Sequence, residues 1–258
     1  MRILVTGGRT GYLGRHVVAA AAGHDVVAVG SADADVRDPA AVQALLAAHR
    51  PDAVVHTAYV QSDWAVTATG AAHVALAAAA FDARLVLVSS DVVFSGDDIH
   101  YDESAAPDPI TAYGAAKAAA ETTALAVCED VVVARTSLIL GDGASQHERL
   151  VHALVGGAEG ALFDDEGRCP VHVGDLAAAL VELAVGDHRG VLHVAGAEAM
   201  SRLELGRLIA RRDGLDPDAL RGTSRAGLPG PVDVRLDSTL AASVLTTRLR
   251  GAREFLAP

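Results

Sequence analysis

Short runs of apolar residues recur along the chain and alternate with longer stretches that are rich in alanine. The runs lie at residues 2–6, 25–29, 52–56, 84–90, 130–135 and 190–195. Their hydrophobic residues are continuous rather than alternating, which is typical of strands buried on both faces of a parallel sheet. Helices are predicted between them, at residues 12–22, 39–49, 66–80, 112–127 and 174–185. This order of strands and helices predicts an α/β fold with a doubly wound parallel sheet.

Two helix starts carry local signals in the sequence. Asp38 precedes Pro39, which places a capping carboxylate before a proline at the first helical position. Ser201 and Glu204 have the spacing of a capping box and predict a further helix over residues 202–212.

Two segments, 143–170 and 199–258, fall outside the alternating pattern and contain many turn-forming residues. We predict that they form a small substrate-binding lobe. Residues 1–142 then form the main domain, to which residues 171–198 return.

Composition narrows the class of protein. The chain has 258 residues, a hydrophobic fraction of 51% and a net charge of −12, which disfavours nucleic acids and anionic membranes as partners. Cys128 and Cys169 form no C-x-x-C pair, as in proteins of a reducing compartment. The N-terminus lacks the pattern of a signal peptide, and the alanine-rich run 71–81 is too short to span a bilayer. These features predict a soluble, cytoplasmic protein, and the eleven histidines show no metal-binding spacing.

A glycine-rich loop follows the first predicted strand, in the sequence ILVTGGRTGYLG over residues 3–14. Two alignments are open, because either Gly7 or Gly8 can precede Gly11 and Gly14 in a dinucleotide-binding pattern. Glycines at such positions permit a tight turn and bring backbone amides close to a pyrophosphate. A strand-loop-helix context therefore predicts a Rossmann-like dinucleotide-binding domain. The predicted cofactor contacts from this loop are Gly7, Gly8, Arg9, Thr10, Gly11, Tyr12, Leu13 and Gly14.

The second predicted strand bears on the choice of cofactor. Gly30 and Ser31 stand where NAD-binding domains usually carry an acid for the ribose 2′-hydroxyl. Arg9 is available for a 2′-phosphate, so we predict NADP(H) in preference to NAD(H); a solvated surface arginine is the alternative. Ser31, Asp35 and Val36 are predicted to lie near the adenosine half of the cofactor.

Lys117 is the only lysine of the sequence, and it follows Tyr113 by four residues on a predicted helix. Residues with this spacing share one helix face. An ammonium beside a phenol favours the phenolate and brings the tyrosine pKa towards neutrality. The pair therefore predicts a general acid–base site. Ser90, at the end of the fourth predicted strand, adds a hydroxyl at the edge where parallel α/β sheets carry their chemistry.

Together, the glycine loop, Ser90 and Tyr113-x-x-x-Lys117 resemble the extended short-chain dehydrogenase/reductases, and most of all the dTDP-4-dehydrorhamnose reductase-like group of sugar-nucleotide reductases. The similarity also includes SSDVVFSGD, ARTSLILG and CPVHVGDLAAAL, and it covers nearly the whole chain.

The resemblance implies a role for each matching position. Tyr113 would be the general acid, Lys117 would hold the nicotinamide ribose and lower the tyrosine pKa, and Ser90 would polarise the substrate carbonyl. Asp91 would line the substrate pocket or cap a turn. The segment His56, Thr57 and Ala58 would pass beside the cofactor. The implied reaction is reduction of a keto group, with the 4-keto group of a nucleotide-activated deoxysugar as the expected target, and a homodimer is the expected oligomer.

The sequence also departs from the group that it resembles. It contains no asparagine, so an asparagine proton relay is missing, and Leu138 replaces an aromatic residue. Val92 follows Asp91 where a 4,6-dehydratase would carry Glu. Candidate substrate contacts in the lobe are His147, Arg149, Arg168, His172 and Arg235. Two alternatives stay open: an epimerase or dehydratase of the same family, and a non-catalytic NADP-binding regulatory subunit of a partner enzyme.

Overall fold

A computed structural model describes residues 1–257, and it contains a central sheet of six parallel strands. The strands are β1 (Arg2–Thr6), β2 (Asp25–Val29), β3 (Ala53–His56), β4 (Arg84–Ser90), β5 (Val131–Thr136) and β6 (Gly190–His193). Their order across the sheet is β2-β1-β3-β4-β5-β6, and every neighbouring pair is parallel. The prediction of a doubly wound parallel α/β sheet is therefore confirmed.

Alternation along the strands explains why their hydrophobic runs are continuous. Ile3 and Val5 of β1 pack into the core on one face of the sheet, whereas Leu4 packs into the core on the other. In β4, Val86 and Leu87 divide in the same way. Because successive side chains point to opposite faces, a strand covered by helices on both faces has no polar side.

Helices cover both faces of the sheet. On one face lie α1 (Tyr12–Ala20) and α6 (Val173–Val185); on the other lie α2 (Pro39–His49), α3 (Gly70–Ala80) and α4 (Ala112–Val127). A π-helical turn over Ala65–Thr69 leads into α3. The predicted cap of α2 is present, since the Asp38 carboxylate accepts the backbone N–H of Ala40 at 2.9 Å.

The remaining α-helices and four short strand pairs lie outside the central sheet. The helices are α5 (Gln146–Val155), α7 (Arg202–Arg212), α8 (Thr239–Val244) and α9 (Ala252–Phe255). The strand pairs join Ile139–Leu140 to Val171–His172, Gly167–Arg168 to Met200–Ser201, Leu162–Phe163 to Gly222–Thr223 and His100–Tyr101 to Arg235–Leu236. A separate apolar cluster includes Leu140, Val151, Leu162, Leu205 and Ile209. The two segments that lack the sheet pattern therefore pack together.

The sequence analysis missed α5, which starts with a complete capping box. The Ser145 hydroxyl accepts the Glu148 N–H at 3.1 Å, and the Glu148 carboxylate accepts the Ser145 N–H at 3.1 Å. The predicted box at Ser201 is only half present: Ser201 accepts the Glu204 N–H at 3.1 Å, but the Glu204 carboxylate pairs with Arg253.

The division into a main domain and a lobe ending at residue 258 stays a prediction, and Pro258 lies outside the described residues. Within residues 1–257, no helix is both long and apolar enough to cross a membrane.

Candidate active site

A cleft of about 960 Å³ opens at the carboxyl ends of the central strands. Its walls include Thr6 from β1, Ser90 from β4 and Thr136 from β5, and residues of the lobe close its far end. The neighbours of β1 are β2 and β3, so the chain changes direction across the sheet there. Open α/β sheets bind their ligands at such a switch point.

The glycine loop forms one wall of this cleft. Gly7 has a φ of +69°, a conformation that favours glycine. A Cβ atom on Gly11 would lie 2.6 Å from the Gly7 carbonyl oxygen, and one on Gly14 would lie 2.3 Å from it. The positive φ of Gly7, together with these contacts to its carbonyl oxygen, favours the alignment Gly7-x-x-x-Gly11-x-x-Gly14. Gly11 is also the N-cap of α1, where a glycine leaves the first helical amides open to an anion.

Gly8 and Arg9 are not among the residues that line the cleft, and their contact with a cofactor stays a prediction. Gly8 packs against the sheet, because its N–H bonds the Val29 carbonyl at 3.0 Å. Arg9 lies on the surface and forms an ion pair with Asp33 at 2.7 Å, and Asp33 also accepts the Gly30 N–H at 2.8 Å. The loop after β2 thus places an acid, Asp33, near the end of that strand, and the sequence analysis did not predict it. The other predicted contacts near this end, namely Thr10, Tyr12, Leu13, Ser31, Asp35 and Val36, all line the cleft.

The cleft contains Ser90, Tyr113 and Lys117 together. Ser90 ends β4, and Tyr113 and Lys117 occupy consecutive turns at the start of α4. Gly114 makes this meeting possible, since a Cβ atom there would lie 2.1 Å from the Val92 carbonyl oxygen. The start of α4 therefore packs directly on the turn that follows Ser90.

Burial sets the proton affinities of this pair. Burial first, then Tyr59 and Asp91, raise the pKa of Tyr113, and the Ser90 hydroxyl opposes them. This direction is opposite to the one that the spacing of Tyr113 and Lys117 suggested. Burial also lowers the pKa of Lys117 to about 8, against the opposing effect of Glu121. The Lys117 ammonium donates a hydrogen bond to the Val88 carbonyl at 2.9 Å.

A buried ion pair fixes α4 against the sheet one turn beyond Lys117. The Arg135 guanidinium of β5 donates to the Glu121 carboxylate of α4 at 2.8 Å, and both side chains are almost completely buried. The Ser89 hydroxyl also donates to Glu121. A buried pair with this many hydrogen bonds holds one geometry, because breaking it would leave an uncompensated charge.

Part of the segment at the end of β3, residues 56–58, lines the cleft. Thr57 and Ala58 line it, but His56 does not. The His56 imidazole is buried behind the strand ends, with Nδ1 2.8 Å from the Thr6 hydroxyl. Burial, followed by the charge of Lys117, lowers the pKa of His56 to about 3, so the ring is neutral.

Asp91 and Arg168 line the cleft and form an ion pair at 3.5 Å, and each is also held by neighbouring groups. The Ser137 hydroxyl donates to Asp91 at 2.6 Å. The Arg168 guanidinium donates to the Pro231 and Val232 carbonyls at 2.8 and 3.0 Å. Arg168 is thus occupied in binding the backbone at Pro231 and Val232.

Two arginines that the sequence analysis missed converge on Glu166 beside the cleft. Arg202 donates to one carboxylate oxygen at 3.0 Å, and Arg225 donates to the other at 2.7 Å. His147, which was predicted, lies in the same group, 3.1 Å from Arg202. All four residues line the cleft. The four residues come from segments that are distant in the sequence, so no local spacing of residues could predict the cluster.

The other predicted lobe residues differ in position. Arg149 lines the cleft at its exposed edge, whereas Arg235 and His172 do not line it. Arg235 is paired with Asp233 at 2.6 Å, and His172 lies 3.6 Å from Asp175. Within residues 1–257, no group of three or more His, Cys, Asp or Glu side chains is placed to hold a metal ion.

The chain matches the family model described as RmlD substrate binding domain over residues 1–255. The chain belongs to this family. A dTDP-4-dehydrorhamnose reductase of Mycobacterium tuberculosis is 34% identical over 250 residues, which are 89% of this chain and 81% of that protein. Methionine adenosyltransferase 2 subunit beta of Danio rerio is 28% identical over 100% of this chain and 90% of its own length. The predicted relationship to dTDP-4-dehydrorhamnose reductase-like enzymes is confirmed.

Solved structures share this fold. The dTDP-4-dehydrorhamnose reductase of Bacillus anthracis in complex with NADP has a TM-score of 0.90 at 23% identity, covering 99% of this chain and 96% of that one. MoeE5 in complex with UDP-glucuronic acid and NAD has a TM-score of 0.82 at 27% identity, covering 100% and 97%. The first likeness shows the fold alone, and the second also pairs it with a sugar nucleotide and a nicotinamide cofactor.

Proposed function

We propose that the protein is an NAD(P)H-dependent reductase that converts a keto group of a nucleotide-activated sugar to a hydroxyl group. The observation that carries the proposal is the meeting of Ser90, Tyr113 and Lys117 in one cleft with the glycine loop. The relatives named dTDP-4-dehydrorhamnose reductase support this substrate class. The 4-keto group of a deoxysugar is the specific target that we propose.

The residues of the cleft fit a nicotinamide dinucleotide. Gly7, Gly11 and Gly14 pack the loop against the start of α1 too closely for any Cβ atom, and the first amides of α1, which no side chain caps, would face a pyrophosphate. Thr57 and Ala58 would pass beside the cofactor, with Asp35 and Val36 near its adenosine half. When bound, the nicotinamide supplies a hydride to the carbonyl carbon.

The protein supplies the proton and holds the carbonyl oxygen. Ser90 donates a hydrogen bond to that oxygen, and Tyr113 delivers a proton to it as the alcohol forms. A raised pKa suits this direction of reaction, because it keeps the Tyr113 phenol protonated at neutral pH. Lys117 holds the nicotinamide ribose, and its positive charge limits the cost of forming a phenolate.

The arginine cluster suits the anionic part of the substrate. Arg202 and Arg225 share the single carboxylate of Glu166, and Arg202 is partly exposed to the cleft. Paired guanidinium groups with charge to spare are well matched to phosphate oxygens. We therefore propose these two arginines, with His147, as contacts of the diphosphate. Asp91, which follows Ser90 and pairs with Arg168 at 3.5 Å, would line the site of the sugar.

A cofactor-oxidation screen tests the function directly. NADPH and NADH are each mixed with nucleotide-linked keto-sugars, with the same sugars lacking the nucleotide, and with small ketones. We expect oxidation with the nucleotide-linked sugars and a KM at least tenfold lower than for the unlinked ones, because charge-assisted contacts to the diphosphate are lost without it. If the protein binds NADPH or NADH but oxidises neither with any compound of the panel, the proposed reductase function is wrong.

The alternative of a regulatory subunit has one relative in its support, the methionine adenosyltransferase subunit. Retention of the complete set Ser90, Tyr113 and Lys117 favours the reductase, since a regulatory protein has no need of a proton donor. Absence of turnover together with co-purification of a partner enzyme would instead favour the regulatory subunit.

The Arg9–Asp33 pair provides a test of the proposed preference for NADP(H). Asp33 competes with a 2′-phosphate for Arg9 and would repel it. We expect Asp33→Ser to raise the NADPH-to-NADH ratio of kcat/KM about tenfold, and Arg9→Ala to lower it by a similar factor. Arg15→Ala, an exposed arginine of α1, serves as the control. Unchanged ratios in both test variants would exclude Arg9 from cofactor selection.

A further inference from the structure

Tyr59 lies on the wall of the cleft beside Tyr113 and Lys117, and the proposed proton transfer does not use it. Its ring centroid is 5.7 Å from that of Tyr113, with an angle of 37° between the ring planes. The Lys117 ammonium nitrogen is 5.0 Å from the same Tyr59 centroid. Both contacts are made by the aromatic ring rather than by the hydroxyl group.

The charged and titratable groups around Lys117 come from three elements. Glu121 and Tyr113 lie on the same helix, His56 ends β3, and Tyr59 follows that strand. His56 is neutral, and Glu121 is engaged by Arg135. The Val88 carbonyl accepts one ammonium hydrogen. The Tyr59 ring therefore provides a contact for the ammonium on the side of the cleft.

We propose that Tyr59 is a positioning residue, whose ring holds the Lys117 ammonium and the Tyr113 ring in the arrangement that the reaction uses. The face of an aromatic ring carries negative potential and attracts a cation within about 6 Å of its centroid. Tilted aromatic pairs at this separation are also favourable. This role rests on the proposed reductase function, because it concerns the same proton donor.

Two substitutions separate the ring from the rest of the side chain. Tyr59→Phe keeps the aromatic face and removes the hydroxyl, whereas Tyr59→Leu keeps an apolar side chain without an aromatic face. Tyr59 is 48% exposed, so neither change removes a core residue. Trp64→Leu is the matched control, because Trp64 is 52% exposed and does not line the cleft.

A measurement on Lys117 itself needs no turnover. Because Lys117 is the only lysine, protein labelled with [13Cε]lysine gives one lysine resonance, which can be titrated by NMR. We expect a pKa of about 8 in the original protein and in Tyr59→Phe. In Tyr59→Leu, loss of the aromatic face lowers this pKa by about 0.5 to 1 unit and removes the ring-current shift of the lysine protons.

Turnover provides the second measurement. We expect Tyr59→Phe to keep kcat within about twofold, and Tyr59→Leu to lose about tenfold in kcat, with the alkaline limb of kcat/KM moved to lower pH. An identical lysine resonance and pKa in the Phe and Leu proteins would overturn the positioning role. Absence of turnover in the original protein would instead count against the reductase function, and the NMR result would still decide the contact.

Discussion

Tyr113→Phe is expected to abolish turnover while the protein still binds its cofactor. Removal of a general acid typically costs 100- to 10,000-fold in rate, and we expect about a 1,000-fold fall in kcat. The ring stays in place and keeps its contact with Tyr59, so the cleft retains its shape. Cofactor affinity should therefore change less than about tenfold, because the phenol adds one hydrogen bond at most. Stopped-flow or steady-state oxidation of NADPH measures the rate, and fluorescence titration measures the binding.

Tyr101→Phe is the matched control for this change. Tyr101 is buried outside the cleft, where its hydroxyl accepts the Gly96 and Asp98 backbone N–H groups at 3.0 and 3.1 Å. Its loss should lower the free energy of unfolding by about 1 to 3 kcal/mol and leave kcat nearly unchanged. If Tyr113→Phe retains more than a tenth of the original kcat, Tyr113 is not the proton donor.

The parts of the fold that could be predicted are those that depend on nearby residues. Six hydrophobic runs gave the six strands to within two residues at each end, because a strand covered on both faces must be apolar throughout. The cap at Asp38 depends on the next three residues and was also predicted correctly. Helix α5 was missed because its apolar face is narrow, with Val151 as its one buried apolar residue.

In the candidate site, too, only the contacts between residues close in the sequence could be predicted. Tyr113 and Lys117 lie one helical turn apart, so their meeting follows from local spacing. Glu166, Arg202 and Arg225 meet only because the lobe segments pack together, and Asp33 reaches Arg9 through the conformation of a loop. A charge partner of this kind depends on the tertiary fold. The same reason explains why Arg168 was a poor candidate: its guanidinium is occupied by backbone carbonyls.

The pKa of Tyr113 illustrates the limit of reasoning from residue types. A nearby ammonium lowers the pKa of a phenol, but burial and the Asp91 charge raise it here. Which effect is larger depends on how deeply the phenol is buried and on its distances from the charged groups, and the spacing of residues in the sequence gives neither.

Substitution of Lys117 is expected to have the second large effect on kcat. Two substitutions, by arginine and by methionine, separate the role of its charge from that of its size. Lys117→Arg keeps the charge but adds volume at a position that is 6% exposed, so we expect a destabilisation of about 1 to 3 kcal/mol. We expect kcat to fall about 100-fold, because a displaced cation no longer holds the ribose and the phenol together. The original protein should lose kcat/KM as the pH rises through about 8, where the ammonium deprotonates. Arginine stays charged there, so this alkaline limb should disappear.

Lys117→Met is expected to make the protein more stable and nearly inactive. The folded chain holds the Lys117 pKa at about 8, below the ordinary 10.5, so at neutral pH the buried charge opposes folding. Its removal should raise the free energy of unfolding by about 2 kcal/mol at pH 7, after allowance for the lost hydrogen bond to Val88. The gain should shrink as the pH rises from 8 to 10.5, because the lysine of the folded protein is then already neutral. Denaturant unfolding at several pH values, beside a kcat assay, measures both. A methionine protein that is less stable, or that retains turnover, would show that the buried ammonium serves the fold rather than the reaction.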